Sequence, residues 1–205
     1  MKVILLNGSP HVDGCTKRAL LEVEKSLNKE GIDTEIIEVG SKSVHGCIAC
    51  KKCSTNGKCI FDDVVNEIAL KLKESAGIVV GTPVYYAGVN GTLKSCLDRL
   101  FYSTSYSKTM KVGAAVISSR RAGSTSAFDE INKYFTINSM PIVSSTYWNE
   151  VHGFTKDDVE KDLEGLQTMR NLGKNMAFLI KSINLGEDNF GIPEQELKDH
   201  TNFSD

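Results

Sequence analysis

Apolar residues in this chain alternate between two spacings. Short unbroken runs are separated by longer stretches in which they recur every three or four positions. Lys2 to Asn7 is a nearly continuous apolar run that ends at Gly8-Ser9-Pro10, which reads as a strand buried on both faces followed by a turn. Thr16 then stands where a helix cap is wanted. Ala19, Leu20, Val23 and Leu27 share one helical face, and Gly31 stops the helix. Ile32 to Val39 reads as a second strand. Asp62 or Asp63 opens a helix through Val64, Ile68 and Leu72, which runs to about Ser75.

Gly77 to Thr82 is the third strand, and Asn90 or Thr92 starts a helix through Leu93, Leu97 and Leu100. Val112 to Ser118 is the fourth strand, Ser124 to Asn138 a helix, and Pro141 to Ser145 the fifth strand. Thr155 and Asp158 resemble a capping box, behind which Val159 to Ile183 forms one long amphipathic helix. Strands separated by single helices predict right-handed crossovers and one doubly wound parallel α/β sheet of five strands, order 2-1-3-4-5, between two helical layers. One domain over residues 1–184 is expected, with a cysteine-rich insertion at 45–61 and a polar arm or tail at 185–205. In such a sheet a ligand sits beyond the carboxyl ends of the strands.

The loops at those ends carry suitable chemistry. After the first strand, Ser9, His11, Gly14, Cys15 and Thr16 lead into a helix, where hydroxyls, main-chain N–H groups and the helix terminus suit a phosphate. Neither a G-x-G-x-x-G pattern nor the Lys-Ser/Thr end of a triphosphate loop is present, so a single phosphate monoester suits the loop better than a dinucleotide. An ordinary strand–turn–helix connection fits it as well, and Asp13 counts against an anion unless it faces solvent. Thr82, Pro83, Val84, Tyr85 and Tyr86 follow the third strand; the proline and the two tyrosines would pack along a planar ring with main-chain groups on its polar edge, or Tyr85 and Tyr86 serve only as packing aromatics. Ser119, Arg120, Arg121 and Gly123 follow the fourth and would supply donors, or form a solvated basic loop.

Composition narrows the setting. At 205 residues with a net charge of −2 the chain offers no electrostatic reason to bind nucleic acid or an anionic membrane. No apolar run approaches the ~20 residues of a spanning helix, and the opening apolar stretch is too short for a signal peptide, so a cytoplasmic protein is expected. Six cysteines in a reducing compartment point away from structural disulfides. Four of them form the run Cys47-x2-Cys50-x2-Cys53-x5-Cys59. Zinc sites usually use two separated cysteine pairs, whereas a 4Fe–4S cube presents its ligand positions on separate irons, which a C-x2-C-x2-C run wraps. Free thiols and a redox dithiol are the competing readings. Cys96 reads as a buried apolar residue and His45 as a solvated loop histidine.

Taken in order, Gly8-Ser9-Pro10 through Thr16, Cys59-Ile60-Phe61-Asp62-Asp63, Gly81-Thr82-Pro83-Val84-Tyr85-Tyr86 and Leu93-Lys94 through Asp98-Arg99 resemble the NADPH-dependent FMN reductase family, and within it the iron–sulfur flavoproteins of anaerobes. The resemblance spans roughly residues 1 to 184. It implies a flavodoxin-like fold, an FMN whose phosphate sits in the 9–16 loop, and a flavin ring between the 82–88 and 118–123 loops. Cys47, Cys50, Cys53 and Cys59 would hold a 4Fe–4S cluster, with Lys51, Lys52 and Lys58 offsetting its charge. Relatives often carry Arg where this chain has His11 and a small polar residue where it has Cys15, which implies phosphate binding that is either weaker or rests more on main-chain groups.

The implied activity is that of a flavin-dependent oxidoreductase, with no side chain assigned as an acid–base catalyst. Main-chain donors after the third strand, with Arg120 or Arg121, would stabilise the reduced ring. NAD(P)H or reduced ferredoxin is the expected donor, and a quinone, flavin or oxygen species the acceptor. A homodimer or homotetramer is expected by analogy. Two alternatives stand beside this reading: a cluster-free NAD(P)H-dependent FMN or quinone reductase, and a non-catalytic electron carrier reusing the fold.

Overall fold

The computed structural model describes residues 1–197, 199 and 201. Five parallel strands form its sheet: β1 (Lys2–Asn7), β2 (Asp33–Glu38), β3 (Gly77–Tyr85), β5 (Val112–Ser119) and β6 (Glu150–His152), in the spatial order β2-β1-β3-β5-β6. A two-residue strand, β4 (Gly88–Val89), folds back antiparallel onto the end of β3. With β4 set aside, this is the expected 2-1-3-4-5 order.

Continuous apolar runs in the central strands follow from burial on both faces. Val3 and Leu5 of β1, Val79 of β3 and Ala114 and Val116 of β5 face one core. That core is closed by α1 (Cys15–Lys29) and α7 (Leu163–Phe190). Ile4, Leu6, Ile78, Val80, Ala115 and Ile117 face the opposite core, which is closed by α3 (Val64–Glu74), α4 (Gly91–Ser103) and α5 (Ser124–Thr136). Burying one such Leu or Ile side chain contributes about 2 kcal/mol, so each face is an independent source of stability.

Several boundaries differ from expectation, each for a local reason. Thr16 does not cap α1. Gly14 occupies the cap position, and the Thr16 hydroxyl turns inward to Ser118 Oγ at 2.8 Å. The fifth strand lies at Glu150–His152 and not at Pro141–Ser145. Around Ile142 the chain makes only an isolated bridge to Gly113. It then leaves the sheet, tied to α7 by Ser145 Oγ donating to the Thr168 carbonyl and Asn175 Nδ2 donating to that of Ser144. The capping box of Thr155 and Asp158 is real but opens only the four-residue α6 (Lys156–Val159). Asp162 then caps α7 afresh, its side chain accepting from Gly165 N at 2.9 Å. That helix passes Ile183 unbroken to Phe190, so the first part of the expected 185–205 arm is helical. Residues 198, 200 and 202–205 of that arm lie outside the described residues. No helix among the described residues is long and apolar enough to cross a membrane.

Candidate functional site

The β1–α1 loop is held from three sides. The buried Asn7 side chain donates to Glu38 Oε2 at 2.7 Å and accepts from Ser9 N at 3.1 Å. The Asn7 main-chain carbonyl accepts from Val39 N and Gly40 N. Gly8 N donates to the Gly81 carbonyl of β3 at 2.8 Å. Gly40 passes so close that a Cβ there would stand 2.2 Å from the Gly8 carbonyl oxygen and 2.3 Å from Ser9 C, so only glycine fits. Ser9 Oγ accepts from His11 N at 3.1 Å, which leaves its hydroxyl hydrogen free. No side chain caps the start of α1, and its first turn contains no acidic residue. The first-turn amides therefore point, uncompensated, into the space beside Ser9 and Thr16, an arrangement suited to an anion. Asp13 does not spoil this. It is exposed and its carboxylate is paired with Lys156.

The β3–β4 hairpin turns on Tyr86 and Ala87, both left-handed (φ 49° and 60°), as a two-residue turn of the I′ kind requires. Glu130 braces the hairpin, accepting from Val89 N at 3.0 Å and pairing with Lys94 at 2.9 Å. Gly123, at φ +88°, lets the loop after β5 press on the hairpin. A Cβ there would stand 2.8 Å from Ala87 Cα. Thr82 is buried under the turn, donating to the Pro83 carbonyl and accepting from Asn90 N.

These loops enclose a cleft of about 750 Å³ at the carboxyl ends of β1, β3, β5 and β6, within the size range of cofactor sites. Ser9, His11, Gly14, Cys15 and Thr16 form one wall, Pro83, Val84 and Tyr85 another, and Ser118, Ser119 and Arg120 the floor and far side. Four expected residues stand outside it. Thr82 and Gly123 support the walls from behind, Tyr86 is fully exposed at the hairpin tip, and Arg121 does not line the cleft. The remaining wall, Gly153 to Asp157, escaped sequence reasoning. Its signal was the Thr155–Asp158 capping box, which places a loop just before a helix. Cys15 Sγ donates to the Gly153 carbonyl at 3.5 Å, and burial pushes its thiol pKa up. Ser119 Oγ stands 3.2 Å from His152 Nδ1.

The cysteine segment follows β2 and lies against α4. Cys47, Cys50, Cys53 and Cys59 all line one small pocket with Ile48, Ile60, Phe61 and Arg99. Ala49 and Lys51, between the first three cysteines, have left-handed backbone (φ 52° and 58°), and α2 (Cys53–Asn56) adds a single turn ending at Gly57. Winding this tight brings three thiols spaced three residues apart to one concavity. Among the described residues, no three His, Cys, Asp or Glu side chains stand close enough together to chelate a single metal ion. A lone zinc would need its sulfurs roughly 4 Å apart, given bonds near 2.3 Å.

Sequence comparison then places the chain. A profile of the NADPH-dependent FMN reductase family matches residues 1–155. The chain belongs to the NADPH-dependent FMN reductase family. It is 38% identical over 191 residues to an iron–sulfur flavoprotein of Methanocaldococcus jannaschii, covering 89% of this chain and 99% of that protein. An iron–sulfur flavoprotein of Methanosarcina thermophila is 30% identical over 195 residues, covering 92% and 100%. In fold, this family member resembles RosB, solved with bound 8-demethyl-8-formylriboflavin-5'-phosphate, at a TM-score of 0.72 and 13% identity over 98% of this chain and 92% of that one. It also resembles an NAD(P)H:quinone oxidoreductase of Methanothermobacter marburgensis, at a TM-score of 0.67 and 14% identity over 86% and 96%. Likeness to an archaeal flavodoxin, at a TM-score of 0.59 and 18% identity over 88% of this chain and 99% of that one, establishes the flavodoxin-like fold.

Both groups the family suggests can be tested against the residues present. A flavin mononucleotide needs an anion cradle at one end and a flat slot at the other, and the cleft offers uncapped amides with two hydroxyls opposite Pro83–Tyr85. A 4Fe–4S cube takes one cysteine thiolate on each of its irons, and four thiols line one largely apolar pocket, which is that donor type in that number. In donor chemistry the residues present suit both groups.

Proposed function

We propose that this family member is an FMN-dependent oxidoreductase of the iron–sulfur flavoprotein kind. The observation carrying the proposal is the convergence of four loops on one cleft whose inner end is an uncapped, acid-free helix start. In this reading the first-turn amides of α1, Ser9 and Thr16 hold the phosphate, and His11 and Cys15 border it. Pro83, Val84 and Tyr85 lie along the ring, with Ser119, Arg120 and the 153–157 stretch closing its other sides. Thr82 and Gly123 brace the two loops from behind, and Tyr86 and Arg121 stand at their outer edges. FMN supplies transfer of a hydride or of single electrons, and a cluster on Cys47, Cys50, Cys53 and Cys59 supplies single electrons only. The chain's own part is to bind, orient and shield.

NAD(P)H or reduced ferredoxin is the proposed donor, and a quinone, flavin or oxygen species the proposed acceptor. A cytoplasmic homodimer or homotetramer is proposed as the working form. The test is anaerobic purification followed by flavin, iron and sulfide analysis, with titration of the flavin-free protein by FMN and by riboflavin. FMN should bind at least tenfold more tightly than riboflavin, which lacks the phosphate. Equal affinities would overturn the assignment of the α1 terminus. Flavin without iron would point to the cluster-free reductase. A loaded protein that fails to oxidise NAD(P)H in the presence of a quinone, and takes no turnover from ferredoxin, would point to the non-catalytic carrier.

A further inference from the structure

Arg99 on α4 is 1% exposed, an unusual position for a guanidinium. All five of its N–H donors are used, and all of them on the cysteine segment and its flanks. Nε donates to Cys59 Sγ at 3.2 Å. One terminal nitrogen donates to the His45 carbonyl at 3.1 Å and Asp63 Oδ2 at 2.6 Å, and the other to the Phe61 carbonyl at 3.3 Å and Asp63 Oδ1 at 2.9 Å. The guanidinium carbon also lies 5.0 Å from the centre of the Phe61 ring, on which the His45 ring stacks at 4.4 Å. One side chain thus ties the segment's entrance at His45 to its exit at Cys59–Asp63.

Asp63 neutralises the charge of Arg99, so what reaches the sulfur is chiefly a directed N–H donor. Hydrogen bonds to ligating sulfurs favour the more negative, reduced state of an iron–sulfur centre and raise its potential. We propose that Arg99 is a positioning residue for the iron–sulfur group. It closes the ligand segment before the metal arrives and, through its Nε–H bond to Cys59, raises the group's reduction potential. The inference rests on the iron–sulfur reading above. Lysine keeps the charge beside Asp63 but cannot fork to five acceptors, which makes Arg99→Lys the informative change.

Two measurements on anaerobically purified full-length protein decide it. Wild-type protein labelled with 15N-arginine, reduced and examined by pulsed electron paramagnetic resonance, should show a 15N coupling to the cluster. R99K, loaded with iron in parallel, should have a lower midpoint potential than wild type, or should lose iron faster while keeping its far-ultraviolet circular dichroism. Iron-loaded wild type without the coupling overturns the proposal and leaves the iron–sulfur reading standing, as does an R99K with unchanged midpoint and iron retention. Wild type that takes up no iron and sulfide removes both. The labelled wild type decides the matter should R99K fail to fold.

Discussion

Burial sorts the cysteines by what each can do. Cys96, on the buried face of α4, is wholly inside the core, and burial, reinforced by the nearby Asp63 charge, pushes its thiol up to about 12. At pH 8 only about one part in ten thousand of such a group is thiolate. Cys47 and Cys50 are exposed. In metal-free native protein, iodoacetamide at pH 8 should therefore modify Cys47 and Cys50 at least 100-fold faster than Cys96, read by peptide mass spectrometry. Comparable labelling of Cys96 would show that this core opens readily. Gly40 supports a second expectation. Its partner Gly8 is far away in sequence, so nothing in the local pattern marked it, whereas Ser9 and Gly14 were legible as a turn before a helix. Gly40→Ala must push the 8–9 backbone aside, and should weaken FMN binding at least tenfold in a fluorescence titration. An alanine variant with wild-type affinity would mean that the loop tolerates displacement.

Elements were legible where a cap and a period coincide. Asp63 before α3 and Asn90 before α4 both accept main-chain hydrogen bonds, as their positions before apolar repeats suggested. The fifth strand was not legible, because Glu150–His152 carries one buried apolar residue and owes its place to Ile117, Ser118 and Ser119 alongside. Nor could spacing show what joins α1 to α7. Glu22 of α1 accepts from Arg18 at 2.9 Å and from Arg170 of α7 at 2.8 Å. Burial alone would raise the Glu22 pKa, but the two arginines outweigh it and hold the carboxyl below its usual value. A group depressed in the folded state stabilises fully above its unfolded pKa, and that stability is lost as pH falls through the folded value. Glu22→Gln should therefore cost about 1.5–3 kcal/mol at pH 7, the worth of a hydrogen bond to a charged group. The gap in denaturant midpoint between wild type and variant should shrink steadily below about pH 4.5, near an ordinary glutamate pKa. A gap that stays constant from pH 7 to pH 3 would show that packing, not charge, is what Glu22 contributes.

At the scale of the whole molecule, the two proposed redox sites share a fold but no walls. The cleft is lined by residues from the 9–16, 83–85, 118–120 and 153–157 stretches, and the thiol pocket by residues 47–61 and α4, with none in common. The cleft's inner end depends on α1, which belongs to the core shared with α7, whereas the cysteine segment hangs on Arg99 of α4, which closes the other core. Cys47 and Cys50 are exposed, and neither accepts a hydrogen bond from any residue of the cleft. Removing their thiols therefore leaves both cores and all four cleft loops as they are. Cys47→Ser combined with Cys50→Ser should abolish iron uptake yet leave FMN affinity within threefold of wild type. FMN at 100 times its dissociation constant should still stabilise the variant by about 2.7 kcal/mol, as mass action requires of any ligand bound only by the folded state. For a chain of this length that corresponds to a rise in melting temperature of roughly 5–10 °C. Should the double variant lose FMN affinity by more than tenfold while keeping its circular dichroism, the two sites would have to be coupled, either through α4 and the β3–β4 hairpin it follows or across a subunit boundary.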